Sequence, residues 1–104
     1  MILKARLEKD GVFIMGRGRY MLLKAVERSG SIATAAREMG MSYRHAWGMI
    51  RAIEEAAGGR VVESSRGGRG GYSKLTPMGR TLLQKYETML ERARNALGRS
   101  YRLE

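Results

Sequence analysis

Along the chain the apolar positions switch between a period of two and a period of three to four. Glycine, serine or proline stands at each switch. Residues 2–15 alternate, with Leu3, Ala5 and Leu7 set between Lys4, Arg6 and Glu8. Asp10-Gly11 then turns the chain and Val12-Phe13-Ile14 returns it, which predicts a β-hairpin. A lone hairpin is marginal in water, so this one needs helices to rest on, from its own domain or from a second subunit. Gly16-Arg17-Gly18 breaks the pattern. From Arg19 to about Arg28, Tyr20, Leu22, Leu23, Ala25 and Val26 form a helical stripe, read as scaffold, with Arg17 and Arg19 as weak candidates for a phosphate contact.

Residues 30–58 organise the rest. Ser31 is placed to cap a short helix whose buried face is Ile32, Ala35, Ala36 and Met39, and Gly40 ends it. Ser42 is placed to cap a longer helix running to about Ala57. On a 100° wheel Ala46, Ile50, Ile53 and Ala57 fall together, and Arg44, Gly48, Arg51 and Glu55 fall opposite, flanked by Tyr43 and Trp47. Two helices joined by so short a turn cross steeply, as in a helix-turn-helix. Trp47, at the border of the core face, reads as packing or as a shelf for Arg44. His45 reads as a surface residue.

Gly58-Gly59 closes this helix, and residues 60–75 predict strand, glycine-arginine loop, strand. In the loop, Arg66, Gly67, Gly68 and Arg69 combine close backbone approach with charge, which suits phosphate or a narrow minor groove. A phosphate-cradling nucleotide loop is disfavoured, because no Gly-Lys-Ser/Thr ending or following helix is present. Thr76-Pro77 opens a last helix, 76–98, in which Leu83, Tyr86, Leu90, Ala93 and Leu97 repeat at 3-4-3-4 spacing. That seam is longer than a small core needs and predicts dimerisation. Residues 98–104 read as a frayed tail.

Charge sharpens this picture. The 104 residues carry a net charge of +10, and the densest basic stretch is 60–80, with 5 basic side chains against 1 acidic. Residues 41–59, by contrast, balance 2 against 2. A basic excess points to a polyanionic partner. The absence of cysteine excludes disulfides and thiolate metal sites. No apolar run approaches a membrane span, and no signal-peptide core is evident, so a cytoplasmic, nucleoid-associated protein is expected. No paired carboxylates, activated nucleophile or metal constellation appears. Neither an enzyme nor a cofactor or metal is therefore expected.

Taken together, Ser29-Gly30-Ser31-Ile32, Ala35-Ala36, Gly40, Ser42-Tyr43-Arg44, Ala46-Trp47, Ile50 and the Gly-Gly-x-Gly-Gly wing resemble the DNA-binding half of ModE-type, molybdate-dependent transcriptional regulators. The run Arg51-Ala52-Ile53-Glu54-Glu55 is similar to the wider LysR-type helix-turn-helix. The resemblance covers about residues 2–97. It implies a homodimeric winged helix-turn-helix on a two-fold symmetric operator, with groove contacts from Ser42, Tyr43, Arg44, Trp47, Gly48 and Arg51. Gly48 departs from the pattern, since related helices often carry a polar side chain there. ModE proteins continue into molybdate-binding domains, whereas this sequence ends at Glu104. Oxyanion sensing is therefore not carried over. The expectation is a regulator without an effector domain, one served by a separate effector-sensing protein, or a piece of a longer chain.

The fold class expected is mainly α with small β: one winged helix-turn-helix domain, 1–104, with an N-terminal hairpin and a long C-terminal dimerisation helix. The expected partner is double-stranded DNA. Arg44 is the leading base reader, Arg66 and Arg69 grip the backbone or minor groove, and Lys74 and Arg51 are positioning candidates. A non-specific architectural chromatin protein and a protein-interaction module are the alternatives.

Overall fold

Asp10 and Gly11 take φ of 52° and 79°, so both central residues of the first turn are left-handed, as a type I′ turn demands. The turn joins β1 (Leu7–Lys9) to β2 (Val12–Met15) in the computed structural model, which describes residues 5–65 and 72–101. Lys9 pairs with Val12 and Glu8 with Phe13, and a register irregularity then brings Leu7 opposite Met15. Residues 2–4 of the expected hairpin lie outside the described residues. The hairpin rests on its own chain: Ile14 and Met15 are buried in the main core.

Among the described residues four helices and a second two-stranded sheet follow: α1 (Arg17–Ser29), α2 (Ile32–Glu38), α3 (Tyr43–Ala57), β3 (Val62–Ser64), β4 (Ser73–Leu75) and α4 (Pro77–Tyr101). Helix α1 begins two residues earlier than the Gly-Arg-Gly break suggested. The Tyr20 amide already donates to the Gly16 carbonyl at 2.9 Å, closing the first turn there. Arg19 is not free for a phosphate contact. Its guanidinium donates to the Ile14 carbonyl at 2.9 Å and lies over the Phe13 ring at 4.6 Å.

The turn between α2 and α3 follows from local chemistry. Gly40 has a φ of 69°, its amide donates to Arg37, and the Met41 amide donates back to Ala36 at 3.0 Å. This is a Schellman ending, which satisfies the last carbonyls of α2 within four residues of the start of α3. Ser31 and Ser42 cap as expected, accepting from the Thr34 amide at 3.1 Å and the His45 amide at 3.0 Å.

Leu22, Leu23 and Val26 of α1, Ala35 and Ala36 of α2, and Ala46, Ile50 and Ile53 of α3 form one core with Val61, Val62 and Leu75. Helix α4 closes it. Thr76 caps α4 by accepting from the Gly79 amide at 3.1 Å, and its hydroxyl donates to the Arg60 carbonyl. Gly79 is buried against the wing: a Cβ there would lie 2.3 Å from the Val61 carbonyl oxygen.

Two expectations about α4 need correction. It continues through Gly98 to Tyr101, and the rest of the expected tail, 102–104, lies outside the described residues. Leu83 and Tyr86 are not a free dimer seam, since they are 3% and 1% exposed inside this chain. The Tyr86 hydroxyl donates to the Ala5 carbonyl at 3.1 Å, and its ring lies 4.9 Å from that of Tyr20. Heptad spacing shows which positions share a face; it does not say which neighbour covers that face. Here α1 and the N-terminal segment cover the first half of α4. Leu90 and Ala93 are half-buried, and the Leu97 side chain lies outside the described residues. A 25-residue helix spans about 37 Å. The molecule accordingly measures 59 Å along its long axis and 29 by 21 Å across.

Candidate nucleic-acid interface

Helix α3 presents two faces with different fates. Ala46, Ile50, Ile53 and Ala57 are at most 5% exposed, which fixes the rotation of the helix on its core. That rotation turns Arg44, Gly48, Arg51 and Glu55 outward. Tyr43 is 53% exposed and meets Trp47 edge to face, ring centroids 6.3 Å apart. Trp47 is half-buried, with part of its ring against the core. It stands between the core and the outward face of α3.

Tyr43, Arg44, Trp47, Gly48 and Arg51 line a concavity of about 390 Å³. Neither Arg44 nor Arg51 has a carboxylate partner among the described residues. Both charges are available to an outside ligand. The N-terminal end of α3 adds the positive end of its backbone dipole. Ser42 lies at that end, and its hydroxyl oxygen is engaged as the cap.

Sequence reasoning gave the strands of the wing but not what anchors them. Glu54 does so from the buried side of α3. Its Oε2 accepts from the Val61 amide at 2.9 Å and the Val62 amide at 3.4 Å, and Arg60 Nε lies 3.5 Å away. On the other side, the Ser73 amide donates to the Gly30 carbonyl at 2.8 Å, tying β4 to the turn between α1 and α2. Glu63 stands opposite Lys74 in the β3–β4 ladder, with 3.6 Å between their charged groups. Lys74 is thus exposed but partly neutralised. Ser65 N donates to Tyr72 O at 2.8 Å, at the end of the hairpin where residues 66–71 connect the strands. Arg66, Gly67, Gly68 and Arg69 lie outside the described residues.

A second concavity, of about 540 Å³, runs between the helix-turn-helix and the wing, lined by Ser29, Ser31, Ser64, Ser65, Ser73, Tyr43 and Tyr72 among others. Its hydroxyls come from four separate segments, and only their spacing in the fold reveals the cluster. No single stretch of sequence carries that signal. Among the described residues no group of three or more His, Cys, Asp or Glu could hold a metal ion, and no helix is long and apolar enough to cross a membrane.

The chain is similar to proteins already known. The profile of the bacterial regulatory helix-turn-helix proteins, lysR family, matches residues 19–80. The molybdenum-pterin-binding protein MopB of Rhodobacter capsulatus is 43% identical over 81 residues, covering 77% of this chain and 30% of that protein. The DNA-binding transcriptional dual regulator ModE of Escherichia coli K12 is 36% identical over 74 residues, 70% of this chain and 28% of that one. The chain thus spans about a third of the length of the curated relatives it matches. Among solved structures, the CbnR DNA-binding domain in its DNA complex superposes with a TM-score of 0.62 at 28% identity, over 80% of this chain and 91% of that one. The BenM DNA-binding domain with benA site 1 DNA gives 0.56 at 26% identity, over 79% and 85%.

Proposed function

Since the chain belongs to the bacterial regulatory helix-turn-helix proteins of the lysR family, we propose that it is a homodimeric transcriptional regulator that recognises a DNA operator by sequence. The observation that carries this reading is the outward face of α3, where Arg44 stands at the capped end and Arg51 two turns on, beside Tyr43 and Trp47 and without a carboxylate partner among the described residues. A major groove admits one α-helix, and guanine offers two acceptors that a guanidinium meets in a bidentate fashion. Arg44, on the first turn, takes that role. Arg51, one heptad on, positions the helix or reads a second base.

Residues 41–59 have no net charge, so the groove helix does not supply the bulk of the affinity. That falls to the wing, with Arg66 and Arg69 on the flanking backbone or minor groove and Lys74 behind them. The homodimer forms through the second half of α4, where Leu90 is only partly covered by the core and the heptad pattern of the sequence runs on through Ala93 and Leu97. Two α3 helices then enter the groove about 34 Å, or a multiple of it, apart.

Selection of bound duplexes from random DNA tests the reading. The expected result is an enriched motif with two-fold symmetry and an affinity at least ~10³ above that for unselected DNA. Binding without any enriched motif would make the protein an architectural one. Absence of binding would leave a protein-interaction module.

A further inference from the structure

Another concavity, of about 330 Å³, opens where three elements meet. Lys9 and Ile14 of the hairpin, Ala57 at the end of α3, and Met78, Thr81 and Leu82 in the first turns of α4 line it. It shares no residue with the concavities along α3 and the wing. Its floor is apolar, since Ile14, Ala57 and Leu82 are all buried. Met78 forms an apolar wall that the fold leaves 39% exposed. The thioether lies against Gly59, where a Cβ would stand 2.9 Å from both its sulfur and its terminal methyl. Methionine is unbranched and polarisable, so it moulds itself to apolar groups of varied shape. Covering this wall with an apolar body of matching size removes water from it, which is favourable.

The polar groups are few and stand at the rim. Lys9 Nζ lies 4.0 Å from a Cβ built on Gly58, the left-handed residue that ends α3. The ammonium is thus held at the negative end of the α3 dipole. No carboxylate pairs with it among the described residues. Thr81 adds a hydroxyl. A mostly apolar hollow with one cation and one hydroxyl to fix orientation has the make-up of a small-molecule site, and its volume falls near the lower end of their range. An inorganic anion would leave the apolar floor uncovered, and a neutral hydrocarbon would leave the ammonium unpaired. We propose that this pocket binds a small amphipathic monocarboxylate, its carboxylate on Lys9 and Thr81 and its apolar body against Met78 and Leu82. The inference goes beyond the DNA-binding reading and stands or falls apart from it.

Octanoate is the probe, titrated calorimetrically into the full chain below its micelle concentration. Binding should saturate at one site. Heptanoate, one methylene shorter, should bind about four-fold more weakly. Octanamide keeps the chain without the charge and should bind about five-fold more weakly. Lys9→Met should lose that preference for acid over amide. Thr81→Trp, on an exposed position of α4, should fill the pocket and abolish binding while the variant melts as cooperatively as the parent. Arg37→Gln removes a cation from α2, which lines no part of this pocket, and should leave binding unchanged. A purely structural role for Lys9, complementing the α3 dipole, would lower the melting temperature of Lys9→Met and leave the acid-to-amide preference intact; that result overturns the proposal. So does the absence of saturable binding, parent-like binding by Thr81→Trp, or an equal loss in Arg37→Gln. Binding that weakens as protein concentration rises would assign the face to a second copy and overturn it as well.

Discussion

Glu54 Oε2 and the Val61 amide are 2.9 Å apart, and this bond ties the start of the wing to α3. The carboxylate reaches from α3 to the start of β3, so it ties together the two elements proposed to contact DNA. Glu54→Ala removes the acceptor from two backbone amides at once. The expected loss is about 1–3 kcal/mol, read as a lower urea midpoint. Glu54→Gln keeps an acceptor oxygen and should recover most of it. Unchanged stability in Glu54→Ala would show that solvent satisfies these amides equally well.

The contrast between the two helical glycines is also open to measurement. Gly79→Ala drives a methyl into backbone and should destabilise by about 1–3 kcal/mol or more. Gly48→Ala, with open space at its Cβ, should stabilise by up to about 1 kcal/mol. Thermal melts of the two variants should move in opposite directions.

Tyr20 donates to Glu87 at 2.6 Å, and Lys24 lies 3.3 Å from the same carboxylate, joining α1 to α4. Burial first, and then the bond to Glu87, pushes the Tyr20 phenol up to about 12. The bond from Tyr20, reinforced by Lys24, holds the Glu87 carboxyl below its usual value of 4.5. The signs follow directly. Glu87 contributes stability that is complete above its unfolded value and lost as pH falls through the lowered one. Tyr20 contributes stability that is complete below 10.0 and lost as pH rises towards about 12. Tyr20→Phe should therefore differ most from the parent between those limits, with the difference shrinking above pH 10. Urea midpoints across the pH range would show it, and a difference that grows with alkalinity would contradict the assignment.

Arg44→Ala should weaken operator binding by roughly 1–3 kcal/mol and relax selectivity at one position of the motif. Binding to unselected DNA should fall much less. Equal losses on both DNAs would make Arg44 a phosphate contact.

Leu90 is half-buried, only partly covered by the core of its own chain. Leu90→Glu should convert a dimer to a monomer in sedimentation at micromolar concentration while leaving the fold intact. A parent protein that is already monomeric under those conditions would remove α4 as the dimer element.

The elements themselves were legible because their causes are local. Asp10-Gly11, Ser31, Gly40, Ser42 and Thr76-Pro77 act on backbone groups a few positions away, and the face of α3 follows from a 3.6-residue period. The helix-turn-helix and the strands of the wing could be read for that reason. The use made of α4 could not, because Tyr86 reaches Ala5 across 81 positions and nothing near Tyr86 announces it. Nor did Glu54 stand out from Glu55 beside it, although only Glu54 meets the amides of β3. The sequence by itself determined where α2 and α3 begin and end and which residues α3 turns to the outside. The tertiary structure decided that Leu83 and Tyr86 are buried within the chain, what holds the wing, and that Gly48 faces open space where Gly79 meets backbone. Those depend on which distant surfaces meet, and a contact between remote positions leaves no periodicity along the chain.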